Sequence, residues 1–524
     1  RCVGPSGGTV IFTKDTGETL ITKHGHRILT ALHLEHPIAR TVLESLCAHD
    51  GVTADGSKSF ILLLAALLRG IRDSVHESSR THRRHASWKL ANQLHAFCWD
   101  GLDDVVAHGV VPYTSSLFGP GGCELEGGVL AALVGGYVGG RVSPSQAEVL
   151  TPLLCELYAR LGHGHTDGAA ISFIHSNFSQ LHTAVSGLHS ARSHVVEGLL
   201  LACDWSVWKE ADGPVKALVV FEKLDTRDDE SVSIQLQDDW TVHSDGVVQE
   251  RLATVLRLQV NIVLSAVKQP DCVLVWACLN NVSVLDCCDP EQLDLLCELC
   301  TAEPLTVQPP MRVGTLTHCR RFQLGGRRYA NVGVTHTSVH THTLVLCAPA
   351  AGPLEQSVSV SRGVFSMLQH LSQSHRHNDL FSTCPNLFEF LFHHSLLHSN
   401  HGDPESRRLL AEAVLSVPRS LHTLRPGDFL QHLAHFTSRL LQPHAIREPG
   451  SGSEFMWGLG ADGSGRVCVE PVCSKHQLVA SVLQCVNRLL RVETVIHTPR
   501  SLALAAAEDD DDDDDDEDDD GDRT

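Results

Sequence analysis

The sequence has no excess of positive charge: 41 Lys and Arg stand against 62 Asp and Glu, for a formal net charge of −21. Its Arg-rich pieces, Arg80 to Arg84 and Arg320-Arg321, are too short to make the basic footprint that nucleic acid requires, so no nucleic-acid partner is expected. No apolar run approaches the roughly 18 residues that cross a bilayer, and the longest, Phe60 to Leu68, is broken by Arg69-Gly70. Membrane insertion is not expected either. The 34 histidines include no HExxH spacing, and Cys297-Glu298-Leu299-Cys300 has no second CxxC to complete a zinc site, so no structural metal is expected. The 18 cysteines are scattered through apolar helical patterns, as at Cys155, Cys203, Cys278 and Cys485, which suits free thiols in a reducing compartment. The chain opens at Arg1 with no methionine and no charged-then-apolar leader, and is read as N-terminally incomplete.

What is present is enough for several cores. A chain of 524 residues with 42% hydrophobic content predicts three to four domain-sized units. Residues Thr9 to Thr13 and Glu18 to Thr22 alternate as a hairpin, and Pro37 sits as an N1 proline opening a helix with Ile38, Val42, Leu43 and Leu46 on one face. A further helical pattern covers Trp88, Leu94, Phe97, Leu102 and Val105. Strand signals follow at Lys216 to Phe221, Val260 to Leu264 and Val282 to Leu285, then a helix at Glu291 to Cys300 and a last one at Gln477 to Leu490. Gly135-Gly136-Tyr137-Val138-Gly139-Gly140 imitates a dinucleotide fingerprint, but no strong helix opens after it and close helix packing is the simpler reading. Glu508 to Asp522 holds 14 acidic residues; without that tail and Arg523, 48 acids face 40 bases, so the body is only mildly acidic. Such a single-sign run repels itself and lacks apolar side chains, which predicts a disordered tail.

One stretch carries chemistry. Asp55-Gly56-Ser57-Lys58-Ser59 precedes the apolar Phe60-Ile61-Leu62-Leu63-Leu64, and so places backbone N–H groups and hydroxyls at a helix N-terminus, where a phosphate binds favourably. Read locally, the same residues also serve as a plain N-cap. The order of landmarks around them decides more: Val3-Gly4-Pro5-Ser6-Gly7, a hairpin around Asp15-Thr16-Gly17, Lys23-His24-Gly25, His36-Pro37-Ile38-Ala39, then Asp55 to Ser59. This resembles the ATP-binding half of the group II chaperonins, which runs GPKG, hairpin, NDG, an HP-containing helix start, and GDGTT before an apolar helix. Residues 31–40, 265–271 and 481–485 carry a closer resemblance to the divergent vertebrate branch of chaperonin-like Bardet-Biedl proteins.

The resemblance implies an α/β multi-domain subunit with helical equatorial, small intermediate and α/β apical domains in nested order. The segments would be equatorial at 1–112, intermediate at 113–194, apical at 195–311, intermediate again at 312–346, equatorial again at 347–504, and a disordered acidic tail at 505–524. The stretch 231–246 falls where the family carries its lid and holds no long amphipathic pattern. By the same resemblance the nucleotide-binding residues would be Gly4, Pro5, Gly7, Gly25, Asp55, Gly56, Ser57, Lys58, Ser59 and Glu470, with Asp55 holding Mg²⁺ through ATP.

Other family groups are missing. The acid of NDG falls on His24, the second catalytic Asp falls on Gly363, and no Asp or Glu occurs between Glu355 and Asp379. The later glycine loop reads Cys384-Pro385-Asn386-Leu387-Phe388-Glu389, where Pro385 fixes φ and Asn386 carries a Cβ. No catalytic residue is therefore named. The missing groups predict a protein that binds ATP but hydrolyses it poorly or not at all, not an enzyme, and the resemblance implies a chaperonin-like protein that assists assembly of the BBSome, a ciliary coat complex, and supports ciliogenesis. Its expected partners are related Bardet-Biedl chaperonin-like proteins, cytosolic chaperonin subunits and BBSome subunits as clients, at the cytoplasm, basal body and cilium base. An active ATP-driven folding chaperonin and a nucleotide-free scaffold remain open as alternatives.

Overall fold

The computed structural model describes residues 3, 7–13, 19–75, 80–116, 127–162, 167–209, 214–224, 250–300, 302–305, 311–334, 341–373, 380–382, 386–422, 426–440 and 469–494. Outside them lie Gly4, Pro5, residues 14–18, the 231–246 lid position, Cys384 and Pro385, and the acidic tail.

The chain begins with an antiparallel hairpin of β1 (Val10–Thr13) and β2 (Thr19–Thr22). Five helices follow: α1 (Gly25–Thr30), α2 (Pro37–Thr53), α3 (Ser57–Val75), α4 (Arg80–Asp100) and α5 (Leu102–Gly109). Pro37 is indeed at the start of α2, where its missing N–H costs nothing, and the His36 ring Nδ1 accepts from the Ile38 N–H at 3.2 Å. Helix α3 buries Phe60, Leu63, Leu64, Leu67, Ile71 and Val75, a single face at three- and four-residue spacing. The pattern read across Trp88 to Val105 is two helices broken at Gly101, and its inner face is Leu90, Leu94 and Phe97, leaving Trp88 exposed.

After a short strand β3 (Ser115–Ser116) come α6 (Gly127–Gly139), α7 (Pro144–Gly162), α8 (Asp167–Ser176), β4 (His182–Ser186) and β5 (His194–Glu197). The glycine run sits inside and just after α6; a Cβ on Gly135 would make only ordinary contact, 3.6 Å from Thr151 of α7, and one on Gly136 or Gly139 would meet nothing within 4 Å, so close helix packing does not account for the run.

Next is an eight-stranded sheet. It uses β6 (Leu199–Leu201), β7 (Trp205–Val207), β8 (Val215–Val220), β9 (Ile262–Ser265), β10 (Ser283–Leu285), β11 (Glu303–Leu305), β12 (Met311–Leu324) and β13 (Arg327–Val334). The order is β6-β13-β12-β8-β9-β10-β7, with β11 added on β12. Strands β8, β9 and β10 run parallel and are nearly continuously apolar because both of their faces are covered. Helices α9 (Asp271–Leu279) and α10 (Pro290–Leu299) belong to this unit.

Strand β14 (His342–Ala348) then returns between β4, parallel, and β5, antiparallel, and leads into α11 (Ala351–Gln373). The last part holds β15 (Leu380–Ser382), α12 (Leu387–His398), α13 (Pro404–Val414), α14 (Ser416–Leu421), α15 (Pro426–Leu440), β16 (Glu470–Pro471) and α16 (Val472–Leu490). Helix α16 opens five residues before the Gln477 expected from the sequence, because Pro471 provides an extended N-cap.

The two ends of the chain share one apolar core. Leu46, Phe60, Leu67, Leu94 and Val106 pack with Phe390, Phe392, Leu410, Val482 and Leu483, all almost wholly buried. A second core joins α6, α7, α8, α11 and the β4-β14-β5 sheet to one face of the larger sheet, through Leu133, Leu157, Phe178 and Phe365. Among the described residues no helix is long and apolar enough to cross a membrane.

Because Leu67 and Leu483 fill the same core from opposite ends of the sequence, Leu67→Ala and Leu483→Ala should each lower one common unfolding transition. The expected cost is about 2–5 kcal/mol apiece, read by denaturant titration; two independently shifting transitions would contradict a shared core.

Candidate functional site

The site forms at the turn between α2 and α3. Helix α2 ends at Ala54, which takes the left-handed conformation (φ 54°) while its N–H closes on the Asp50 carbonyl at 2.7 Å. Gly56 has φ 83° and lies against the ring of His49, whose Nε2 would be 2.9 Å from any Cβ placed there. Only glycine satisfies both demands. The intervening residue, Asp55, is thereby turned so that its Oδ1 accepts from the Gly56 N–H at 2.7 Å. Ser57, at the start of α3, is buried and its hydroxyl donates to the Asp50 carboxylate.

Arg141, just beyond α6, reaches into this turn. Its Nη2 donates to Asp55 Oδ1 at 2.7 Å and its Nη1 to the Tyr137 carbonyl at 2.9 Å, and its guanidinium lies 3.5 Å above the Tyr137 ring. The Arg141 side chain is only 12% exposed, against 49% for Asp55. The Tyr137 hydroxyl donates to the Ala54 carbonyl at 2.9 Å. The same hydroxyl occupies the space above Gly363 of α11, where a Cβ would come within 2.2 Å of it. The position expected to have lost a catalytic acid is thus filled by a tyrosine from another helix.

Electrostatics follow from this enclosure. Burial works to raise the Asp55 carboxyl, but the Arg141 guanidinium and the Gly56 N–H outweigh it and hold the group below the usual carboxylate range. Burial pushes Tyr137 up to about 12 and Asp50 upward, while His26 Nδ1 lies 3.3 Å from Asp50. His24 caps α1, its Nδ1 accepting from the Arg27 N–H at 3.4 Å, and burial, reinforced by Arg141, pushes it down to about 3. A ring so reluctant to take a proton is a feeble general base.

Of the residues singled out from the sequence, Asp55, Gly56, Ser57, Lys58 and Ser59 stand together at the α3 N-terminus. Gly25 abuts Lys58, whose Cγ would be 2.7 Å from a Cβ at position 25. Gly7 is buried ahead of β1, and Gly4 and Pro5 fall outside the described residues. Glu470 approaches from β16, but its Oε2 is 3.2 Å from Lys475 Nζ, which also meets Glu389 Oε1 at 2.7 Å, and the Asn386 N–H donates to Glu470 at 3.3 Å. Burial opposes the charge on Lys475, yet the two glutamates more than restore it and raise its affinity for the proton. Burial likewise raises Glu470.

Sequence reasoning missed Arg141, Tyr137 and Lys475. Lys475 left one signal: a cation in the first turn of a helix opposes the helix dipole and asks for a compensating anion. Arg141, 86 residues from Asp55, left none.

Mg²⁺ fits this turn poorly. It takes close to octahedral oxygen coordination, whereas Asp55 Oδ1 is already shared by two donors, one of them a guanidinium. The adjacent guanidinium also repels a divalent ion placed at Oδ1. The nearby Asp50 is turned to Ser57 and His26.

Residues 1–82 match the TCP-1/cpn60 chaperonin family. It is 30% identical over 402 residues, 71% of its length, to the BBSome complex assembly protein BBS10 of Pongo abelii, and 31% identical over 399 residues to that of Mus musculus. These matches cover 55% and 56% of the relatives, so the chain spans about half the length of the curated relatives it matches. A shorter likeness, 36% over 66 residues, reaches the T-complex protein 1 subunit delta of Saccharomyces cerevisiae, covering 13% of this chain and 12% of that subunit. The chaperonin resemblance read from the landmarks around Asp55, and the closer one read from 31–40, 265–271 and 481–485, are both shown by these matches.

Two outcomes check the geometry. Gly363→Ala should cost about 1–3 kcal/mol by overpacking, and most of that should return in a Tyr137→Phe background; strictly additive thermal shifts would contradict the contact. His49, buried and pushed down to about 4 by that burial, stays neutral in the folded state while the unfolded chain protonates below about 6.5. The unfolded state therefore binds more protons in that window, and stability falls as pH drops from about 6.5 towards 4, by on the order of 2 kcal/mol at pH 5. Melting temperatures of His49→Gln should fall less steeply over the same range.

Proposed function

We propose that this protein is a chaperonin-like factor that assists assembly of the BBSome, acting with related chaperonin-like proteins and cytosolic chaperonin subunits in support of ciliogenesis. Its place of work on this reading is the cytoplasm and the basal body at the cilium base. What supports the reading is the likeness, over 71% of the chain, to relatives named as BBSome assembly proteins, together with the chaperonin-family match. The protein acts by binding partners rather than by turning over ATP.

The observation that carries the second clause is the filling of the site. Phosphoryl transfer to water needs a carboxylate that orients and activates the nucleophile, and the two positions concerned hold His24 and a glycine covered by Tyr137. Nucleotide enters this proposal as a ligand held at the N–H groups of Ser57, Lys58 and Ser59, the Gly56 N–H being taken by Asp55, and not as a fuel. A nucleotide-free scaffold is the second reading, favoured by the engagement of Asp55 with Arg141 and of Ser57 with Asp50.

Purified full-length chain incubated with Mg²⁺-ATP should release phosphate at least about 100-fold more slowly than an active chaperonin subunit, the minimum loss for one missing general base. Steady turnover abolished by Asp55→Ala would overturn the non-enzymatic reading. A melting temperature raised by ATP, as expected of a ligand that binds only the folded state, separates the nucleotide-bound reading from the scaffold. Co-purification from ciliated cells with chaperonin and BBSome subunits tests the assembly role; recovery of neither would end it.

A further inference from the structure

Most anionic sites that use a metal leave a carboxylate oxygen directed at the ion. Here the oxygen is directed at Arg141. The guanidinium is nearly buried, stacked on Tyr137, and hydrogen-bonded to Asp55 and to the Tyr137 carbonyl, so its position is fixed by four separate groups when the 3.4 Å approach to the Ala54 carbonyl is included. Behind it, the Gln356 side chain of α11 donates to the Arg141 carbonyl at 2.8 Å. Its pairing with Asp55 leaves the turn close to neutral before any ligand arrives.

We infer that Arg141 is the resident counter-ion of the Asp55 turn: it takes the charge-balancing place of a divalent cation and pins the α6–α7 corner to the α2–α3 turn permanently. The inference goes beyond the assembly role and stands on the site geometry alone. In a metal-dependent site this pin would form and dissolve with the ion and its nucleotide. In this chain it is a side chain, present whether or not a ligand is bound. Tyr137 completes it, since the same ring supports the guanidinium and sends its hydroxyl to the Ala54 carbonyl. Gly363 is the accommodating residue, its missing side chain leaving room for that hydroxyl.

The test uses Mn²⁺ as the metal probe on the full chain, followed by electron paramagnetic resonance. The wild-type isotherm should be unchanged by Asp55→Asn. Arg141→Gln, checked for folding by its melting curve, should bind Mn²⁺ at least tenfold more tightly than wild type, and adding Asp55→Asn should remove the gain. Wild-type Mn²⁺ binding that is lost in Asp55→Asn would overturn the inference, as would a folded Arg141→Gln with an unaltered isotherm. Hydrogen exchange gives a readout that needs no variant: protection of residues 137–143 should be the same with and without Mg²⁺-ATP, and a strong increase on adding it would show that the pin is ligand-made. An active ATPase with a metal-free Asp55 would contradict the proposed function and leave this inference standing, so the two fail separately.

Discussion

A buried cation set against Asp55 governs the site of this protein. Arg141 could not sit there without Tyr137 beneath it, and Tyr137 could not lie as it does if position 363 carried a side chain. Nor would the carboxylate face Arg141 without the left-handed Ala54 and the Gly56 turn that aim it. One ion pair therefore links the α2–α3 turn to the segment just beyond α6, and Gly363 of α11 leaves room for the tyrosine that supports it.

A second internal balance lies close by. Lys475 bridges Glu389 and Glu470 across α12, β16 and α16, and Glu470 also holds the Asn386 N–H at the start of α12. Buried ion pairs of this kind are costly to break and contribute little net stability compared with apolar packing, so their effect is mainly to fix which elements meet. Asp55, Glu389 and Glu470 are thus each met by a cation of the chain itself.

How far the sequence could be read varies with range. Helix α3 and the strands β8 and β9 were legible because their apolar residues repeat at the period of the element, and Pro37 marked the start of α2 by its own chemistry. The break at Gly101 was not, since apolar spacing continues across it while the backbone does not. At the site, the grouping of Asp55 to Ser59 was visible as a local string. The role of His24 as a helix cap, and the contact of Tyr137 with Gly363, were invisible, because each depends on which surfaces other elements bring near.

By itself the sequence determined the local elements, the turn that presents Asp55, and the absence of acids at positions 24 and 363. These are matters of residue identity and short spacing, where backbone stereochemistry and hydrophobic periodicity act within a few residues. Only the tertiary structure decided what meets Asp55. The partner is 86 residues away, just beyond a helix whose glycines say nothing of electrostatics, and it arrives there because packing of α6 against α7 and α11 carries it to the turn. Charge pairing inside a fold is set by that delivery in space, and a linear string does not encode it in any local pattern.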